Sequence, residues 1–184
     1  MAALISDVLN FWFEEIEPKQ WYVKDAAFDE AVRVRFGDAV EQAGHGELDF
    51  WKDSAIGCLA LCILLDQFTR NIYRGTPKAF AFDEKAREVA RHAYNTGLDM
   101  DEAITPQMRT FLYLPFEHHE NIGDQDLCVK LAKERVGLEG FIDYAEKHRV
   151  IIERFGRFPH RNAILGREST AEEAEFLAQP GSGF

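Results

Sequence analysis

Apolar residues along this chain recur at three- and four-residue steps, the period that lays them along one face of an α-helix. Val8, Leu9, Trp12 and Phe13 form the first such face, with Ser6 as its expected cap and Pro18 as its end. A second face starts near Asp25 and turns Phe28, Val32, Phe36, Ala39 and Val40 inward until Gly44 and Gly46 close it. The third helix runs from about Ser54 toward Ile72. Its first half is apolar all round, which makes it the most enclosed helix of the fold. Its second half turns abruptly polar at Asp66, Gln67, Arg70, Asn71 and Arg74.

Thr76-Pro77 and Thr105-Pro106 each place a capping side chain before a residue whose fixed φ suits the first helical position. The first starts a helix toward Thr96, with Ala86, Val89, Ala90 and Tyr94 inward and Asp83, Glu84, Lys85, Arg87 and Glu88 as solvated charges; Gly97 ends it. The second starts an apolar helix, interrupted by Pro115, that leads into Glu117-His118-His119-Glu120. Two more helices span about Asp124 to Val136 and Leu138 to Phe155, ending at Gly137 and Gly156. Ser169 with Glu172 forms a capping box for a short last helix. No segment alternates with period two, so the expectation is an all-α fold of about eight helices stacked as antiparallel hairpins. A length of 184 residues fits a single domain, 1–184, with residues 179–184 as a Gly-rich tail.

Composition adds constraints on partners. A formal net charge of -11 argues against a general nucleic-acid binder. Cys58, Cys62 and Cys128 lack a zinc-finger spacing and read as reduced core thiols. Met1 to Phe13 lacks a basic start and carries Asp7. The apolar run Ala55 to Leu65 is about half of the ~20 residues a membrane span needs. A cytoplasmic protein without membrane contact is the expectation.

Against this acidic background, the stretch from His148 to Arg167 carries a formal charge of +4, with Arg149, Arg154, Arg157, Arg161 and Arg167 set against Glu153. Three segments resemble, in type and order, a bacterial family known as domain of unknown function 924: Leu65 to Gly75, Phe111 to Glu120, and Phe155 to Arg167. The Val8 to Phe13 start and the Pro-Gly-Ser-Gly-Phe ending fit it too. The resemblance implies a helical fold similar to the tetratricopeptide-repeat-like superfamily. It carries no established reaction, catalytic residue or cofactor.

The residues themselves support three readings. One is an anion pocket: Arg70, Asn71, Arg74, Arg157, His160, Arg161 and Asn162 bind a small phosphate- or carboxylate-bearing ligand, because planar guanidinium groups take such anions bidentately. His118, His160, Glu117 and Asp66 are then the candidates for proton transfer. The second is a structural ion-pair network, in which Arg157 and Arg161 pair with Asp66, Glu117 or Glu120, in a module whose helical hairpins bind a protein partner. The third is metal-assisted hydrolysis. His118 and His119 diverge by about 100° on a helix and cannot easily share an ion, leaving a mixed set such as Asp66, His118 and His160, so no metal site is assigned. The anion reading predicts that Arg157, His160 and Arg161 face Asp66, Arg70, Glu117 and His118 across one cleft.

Overall fold

Eight helices carry the chain in the order that the pattern predicts, and the computed structural model, which describes residues 2–183, has no β-strand among them. Helix α1 is Ala2–Asn10, extended by wide π-helical turns over Phe11–Glu15. Helix α2 is Ala26–Gly44, and its cap Asp25 accepts from the Ala27 and Phe28 amides. Helix α3 runs from Ala55–Cys62 through π-helical turns over Ile63–Phe68 into Thr69–Ile72. Then come α4, Asp83–Thr96; α5, Pro106–Glu117; α6, Ile122–Leu131 with a wide turn over Ala132–Val136; α7, Glu139–Phe155; and α8, Ala171–Leu177. Phe184 of the expected tail lies outside the described residues.

Consecutive helices from α2 to α7 pack against one another, and α3 also meets α5, as α5 meets α7. Neighbours in sequence are therefore neighbours in space, which is what short links between amphipathic helices impose. The window Ala55–Ile72 is long and apolar enough to cross a membrane, but 83% of it is buried inside the fold, as in a core helix. Gly57 permits this enclosure, because a Cβ there would lie 2.0 Å from the Trp51 carbonyl oxygen. The three cysteines are free and buried; burial pushes the Cys58 thiol up to about 11 and Cys62 and Cys128 well above the ordinary value. They are core thiols rather than reactive ones.

Three helix starts differ from expectation. Helix α1 already begins at Ala2, so Ser6 lies inside it and caps nothing. Thr76 donates its hydroxyl to the Tyr73 carbonyl at 2.8 Å, and Pro77–Phe80 forms only a 3₁₀ turn. Phe82 sits close over Gly44, where a Cβ would lie 2.3 Å from the ring, and α4 starts after that contact. The last capping box is Thr170 with Glu173, one residue later than the sequence suggests, because Ser169 instead accepts from Asn162 at 3.0 Å. By contrast, Thr105 caps as expected, Asp25 and Ser54 cap the helices that start beside them, and Gly97, Gly137 and Gly156 hold left-handed C-caps.

A buried knot ties α5 to its surroundings. Arg109 donates to the carbonyls of Asp99 at 2.7 Å, Arg135 at 2.7 Å and Ile104 at 3.0 Å, while the Asp99 carboxylate accepts from Tyr113 and Arg135. Removing the guanidinium strands three carbonyls at once. Arg109→Met, which keeps the apolar stem, is therefore expected to lower unfolding free energy in urea by about 3 kcal/mol; a loss under about 1 kcal/mol would show that water replaces these bonds.

Candidate functional site

The wide turns of α3 bring Asp66 into the interior, 1% exposed. Thr69 helps to hold this local widening, since both its amide and its hydroxyl bond the Leu64 carbonyl. The Asp66 carboxylate accepts from Gln67 and from His118 Nδ1 at 2.8 Å and forms an ion pair with Arg70 at 2.9 Å, while Arg70 donates to the Asp66 backbone carbonyl at 2.8 Å. Burial alone would push this carboxyl up, but Arg70 and His118 override it and hold it well below the usual carboxylate range. Burial keeps His118 below the ordinary histidine value despite Asp66. Its neutral ring donates Nδ1–H to the carboxylate, with Arg70 supplying the positive charge.

At the end of α5, adjacent side chains diverge as helix geometry requires. His118 faces Asp66, whereas His119 turns to Asp124 at 2.9 Å and Glu84 at 3.3 Å. Gln125, fully buried on α6, donates to the carbonyls of Phe116, Glu117 and His119 and so ties off this helix end. Glu117 is 3% exposed, and its Oε2 lies buried without a hydrogen bond. Burial, helped by the nearby Asp66 charge, raises its carboxyl to about 8. Its Oε1 lies 3.4 Å from Nδ1 of His148, which also meets the Tyr144 carbonyl at 2.8 Å. Burial pushes His148 down to about 3. Glu117, His118 and His148 each present one ligand-type atom within 4.8 Å of the others.

The basic segment closes the cluster. Its arginines sort into separate roles. Arg154 pairs with Glu172, Arg157 forms a bidentate pair with Glu173, and Arg149 pairs with Asp126 and Glu153. Arg167 forms a bidentate pair with Glu120, whose carboxylate also accepts the Phe158 amide at 2.8 Å. Arg161 differs: it is 6% exposed, reaches Asp83 at 3.5 Å, and leaves its buried Nε–H without a hydrogen bond. Its guanidinium lies over the rings of Phe80 and Phe158, 4.8 and 4.5 Å from their centroids. Burial, with Arg70 adding repulsion, lowers it to about 10. His160, beside it, is lowered to about 4 by burial and Arg161.

The structure thus brings Asp66, Arg70, Glu117, His118, His160 and Arg161 into one neighbourhood of mutual electrostatic influence. Other expected members lie elsewhere. Asn71 and Arg74 bind Asp29 of α2, at 2.7 and 2.5 Å. Arg157 and Asn162 both belong to the Glu173 carboxylate of α8. Residues on one helix turn or loop point to different neighbours, so proximity in sequence overestimated the donor set.

Two members went unrecognised. Asp83 reads as a solvated helix-start charge, yet it accepts both Arg70 nitrogens, at 2.9 and 3.0 Å, and meets Arg161. His148 reads only as the edge of the basic segment. A signal was present, because it falls three residues after Ala145 and four before Ile152, on the buried face of α7.

The fold and this cluster define the class: a helical protein of packed sequential neighbours with an internal carboxylate, imidazole and guanidinium site. The chain belongs to the family described as bacterial protein of unknown function (DUF924), whose model matches residues 8–181. It is similar to the solved structure of the protein of unknown function ATU0120 from Agrobacterium tumefaciens. The two are 45% identical with a TM-score of 0.90, over 96% of this chain and 98% of that one. No curated protein matches.

Glu117 gives the cluster a pH signature. With a folded value of about 8 against 4.5 for the ordinary carboxyl, the native state holds a proton that the unfolded chain releases, so stability falls as pH rises through this window. His148 and His160, lowered to about 3 and about 4 from 6.5, act in the opposite sense and only below pH 6.5. In chelator-treated protein the urea midpoint should therefore decline between about pH 6.5 and 8, and Glu117→Gln should flatten that decline. An unchanged slope in the variant would assign the effect to another group.

Proposed function

We propose that this protein binds a small carboxylate- or phosphate-bearing ligand, with Arg161 as its anchor and His118 and His160 beside it. The observation that carries this reading is the state of Arg161. A guanidinium removed from water needs a partner of opposite charge, or it costs several kcal/mol. The other arginines of the basic segment have close carboxylates, whereas Arg161 has one contact at 3.5 Å and an unused Nε–H. A planar anion fits that need, since guanidinium binds carboxylate and phosphate through paired N–H groups.

The neighbouring side chains suit the same ligand. Arg70 is held by Asp66 and Asp83, so it contributes field rather than a direct contact. His118, whose Nδ1–H is given to Asp66, presents Nε2 to accept a proton from a ligand, and His160, kept neutral by burial, can donate to an anion or accept a proton from one. Stacking over Phe80 and Phe158 fixes the plane of Arg161 at low entropic cost.

Inorganic phosphate and succinate test this reading by thermal unfolding. At roughly a hundredfold excess over the dissociation constant, a specific anion stabilises by about 2.7 kcal/mol, or roughly 5–10 °C for a chain of this size. The wild type and Arg157→Ala should both show the rise, because Arg157 is occupied by Glu173. Arg161→Ala should not; an equal rise in that variant would assign the anion to another surface.

A further inference from the structure

We infer that Glu117, His118 and His148 form a binding site for a divalent first-row transition metal. Their ligand-type atoms converge to within 4.8 Å of one another from two different helices, α5 and α7. Metal bonds of about 2.0–2.2 Å place ligand atoms roughly 3.4 Å apart around a shared ion. Side-chain rotation that draws the three atoms in by about 1 Å therefore suffices.

The surroundings of each ligand have the form that metal sites require. His118 gives Nδ1 to the Asp66 carboxylate at 2.8 Å, which leaves Nε2 as the ligating nitrogen. A metal-binding histidine normally has its other nitrogen held by a carboxylate or a carbonyl, which fixes the ring and raises its basicity. His148 Nδ1 lies 2.8 Å from the Tyr144 carbonyl and 3.4 Å from Glu117 Oε1, so that carbonyl anchors the ring beside Glu117. Gln125 fixes the backbone that carries Glu117 and His118 through the carbonyls of Glu117 and His119.

An independent observation points to a ligand. Glu117 Oε2 is buried, belongs to a residue 3% exposed, and has no hydrogen bond. Helix α5 could place an apolar residue here without that penalty. A carboxylate kept there beside two imidazoles is explained if a cation occupies the centre. The two-imidazole, one-carboxylate set suits Zn²⁺, Fe²⁺ or Mn²⁺ better than Ca²⁺ or Mg²⁺, which favour all-oxygen shells. Three protein ligands leave at least one coordination position for water or an exogenous group. The inference does not rest on the anion reading: metal can bind with Arg161 replaced, and an anion can bind Arg161 with the metal removed.

The test is titration of chelator-stripped, folded protein with Zn²⁺ and, without oxygen, Fe²⁺ or Mn²⁺, read by calorimetry and by metal content after gel filtration. One equivalent should bind to the wild type. Glu117→Gln, nearly isosteric, and His148→Gln should each weaken binding at least 100-fold, while Asp66→Asn should weaken it 10- to 100-fold through orientation of His118. His119→Ala should bind as the wild type does, since His119 faces Asp124 instead. Circular dichroism of Glu117→Gln separates lost ligation from lost fold. Failure of the folded wild type to bind any of these ions, or stoichiometric binding undiminished in folded Glu117→Gln, would overturn the assignment.

Discussion

A carboxylate taken out of water must be met by donors on all sides, and Asp66 imposes that condition at the centre of this molecule. Its partners come from its own helix, through a hydrogen bond from Gln67 and an ion pair with Arg70, and from the end of α5, through His118. Arg70 in turn must be neutralised, and Asp83 at the start of α4 does this with both oxygens. One buried charge thus fixes the relation of α3, α4 and α5 at the point where the apolar packing of α3 gives way to polar groups. The wide turns over Ile63–Phe68 belong to the same constraint, because they set the direction in which Asp66 leaves the helix.

The C-terminal third is attached by a second set of carboxylates. Glu120 accepts from Arg167 and from the Phe158 amide, and Glu173 accepts from Arg157 and Asn162. These bonds explain most of the basic character of the Phe155–Arg167 stretch. They also explain why α8, seven residues long, has a fixed place: Phe176 rests on Phe155 at 5.1 Å while its cap residue Thr170 shares Glu173 with Arg157. Once these pairs are set aside, Arg161 stands out by its chemistry rather than by its place in a basic run.

Local signals made the helices legible. Asp25, Ser54 and Thr105 act on amides two or three residues away, and Gly97, Gly137 and Gly156 act through their own φ, so short sequence windows contain the whole cause. The site was legible only as three segments. Which side chains meet inside it depends on wide helical turns and on long-range partners that no local pattern encodes. Asp83 illustrates this: at a helix start beside Glu84 it has the appearance of a dipole-stabilising surface charge, and only the folding of α3 beside α4 gives it two arginines. Arg74, four residues after Arg70, meets Asp29 of α2 instead, because the helix ends at Ile72 and the chain turns away.

The remaining issue is whether the cluster is a scaffold or a site. A network selected for stability alone satisfies its members, as Asp66, Asp83, Glu120 and Glu173 are satisfied here. Glu117 and Arg161 break that pattern, each keeping a buried polar atom without a hydrogen bond and no partner nearer than 3.4 Å, whereas Arg167, whose Nε is also unbonded, holds Glu120 at 2.6 Å; the two flank the same histidine. Groups that served only to hold helices together would gain most by bonding to each other, yet Glu117 meets His148 at 3.4 Å and Arg161 meets Asp83 at 3.5 Å instead. They are instead poised toward different occupants, a cation at Glu117 and an anion at Arg161, with His118 between. The ion pairs of Asp66, Asp83, Glu120 and Glu173 around them supply the rigidity that two such groups need to stay in place, so the scaffold network and the proposed site are complementary parts of one arrangement.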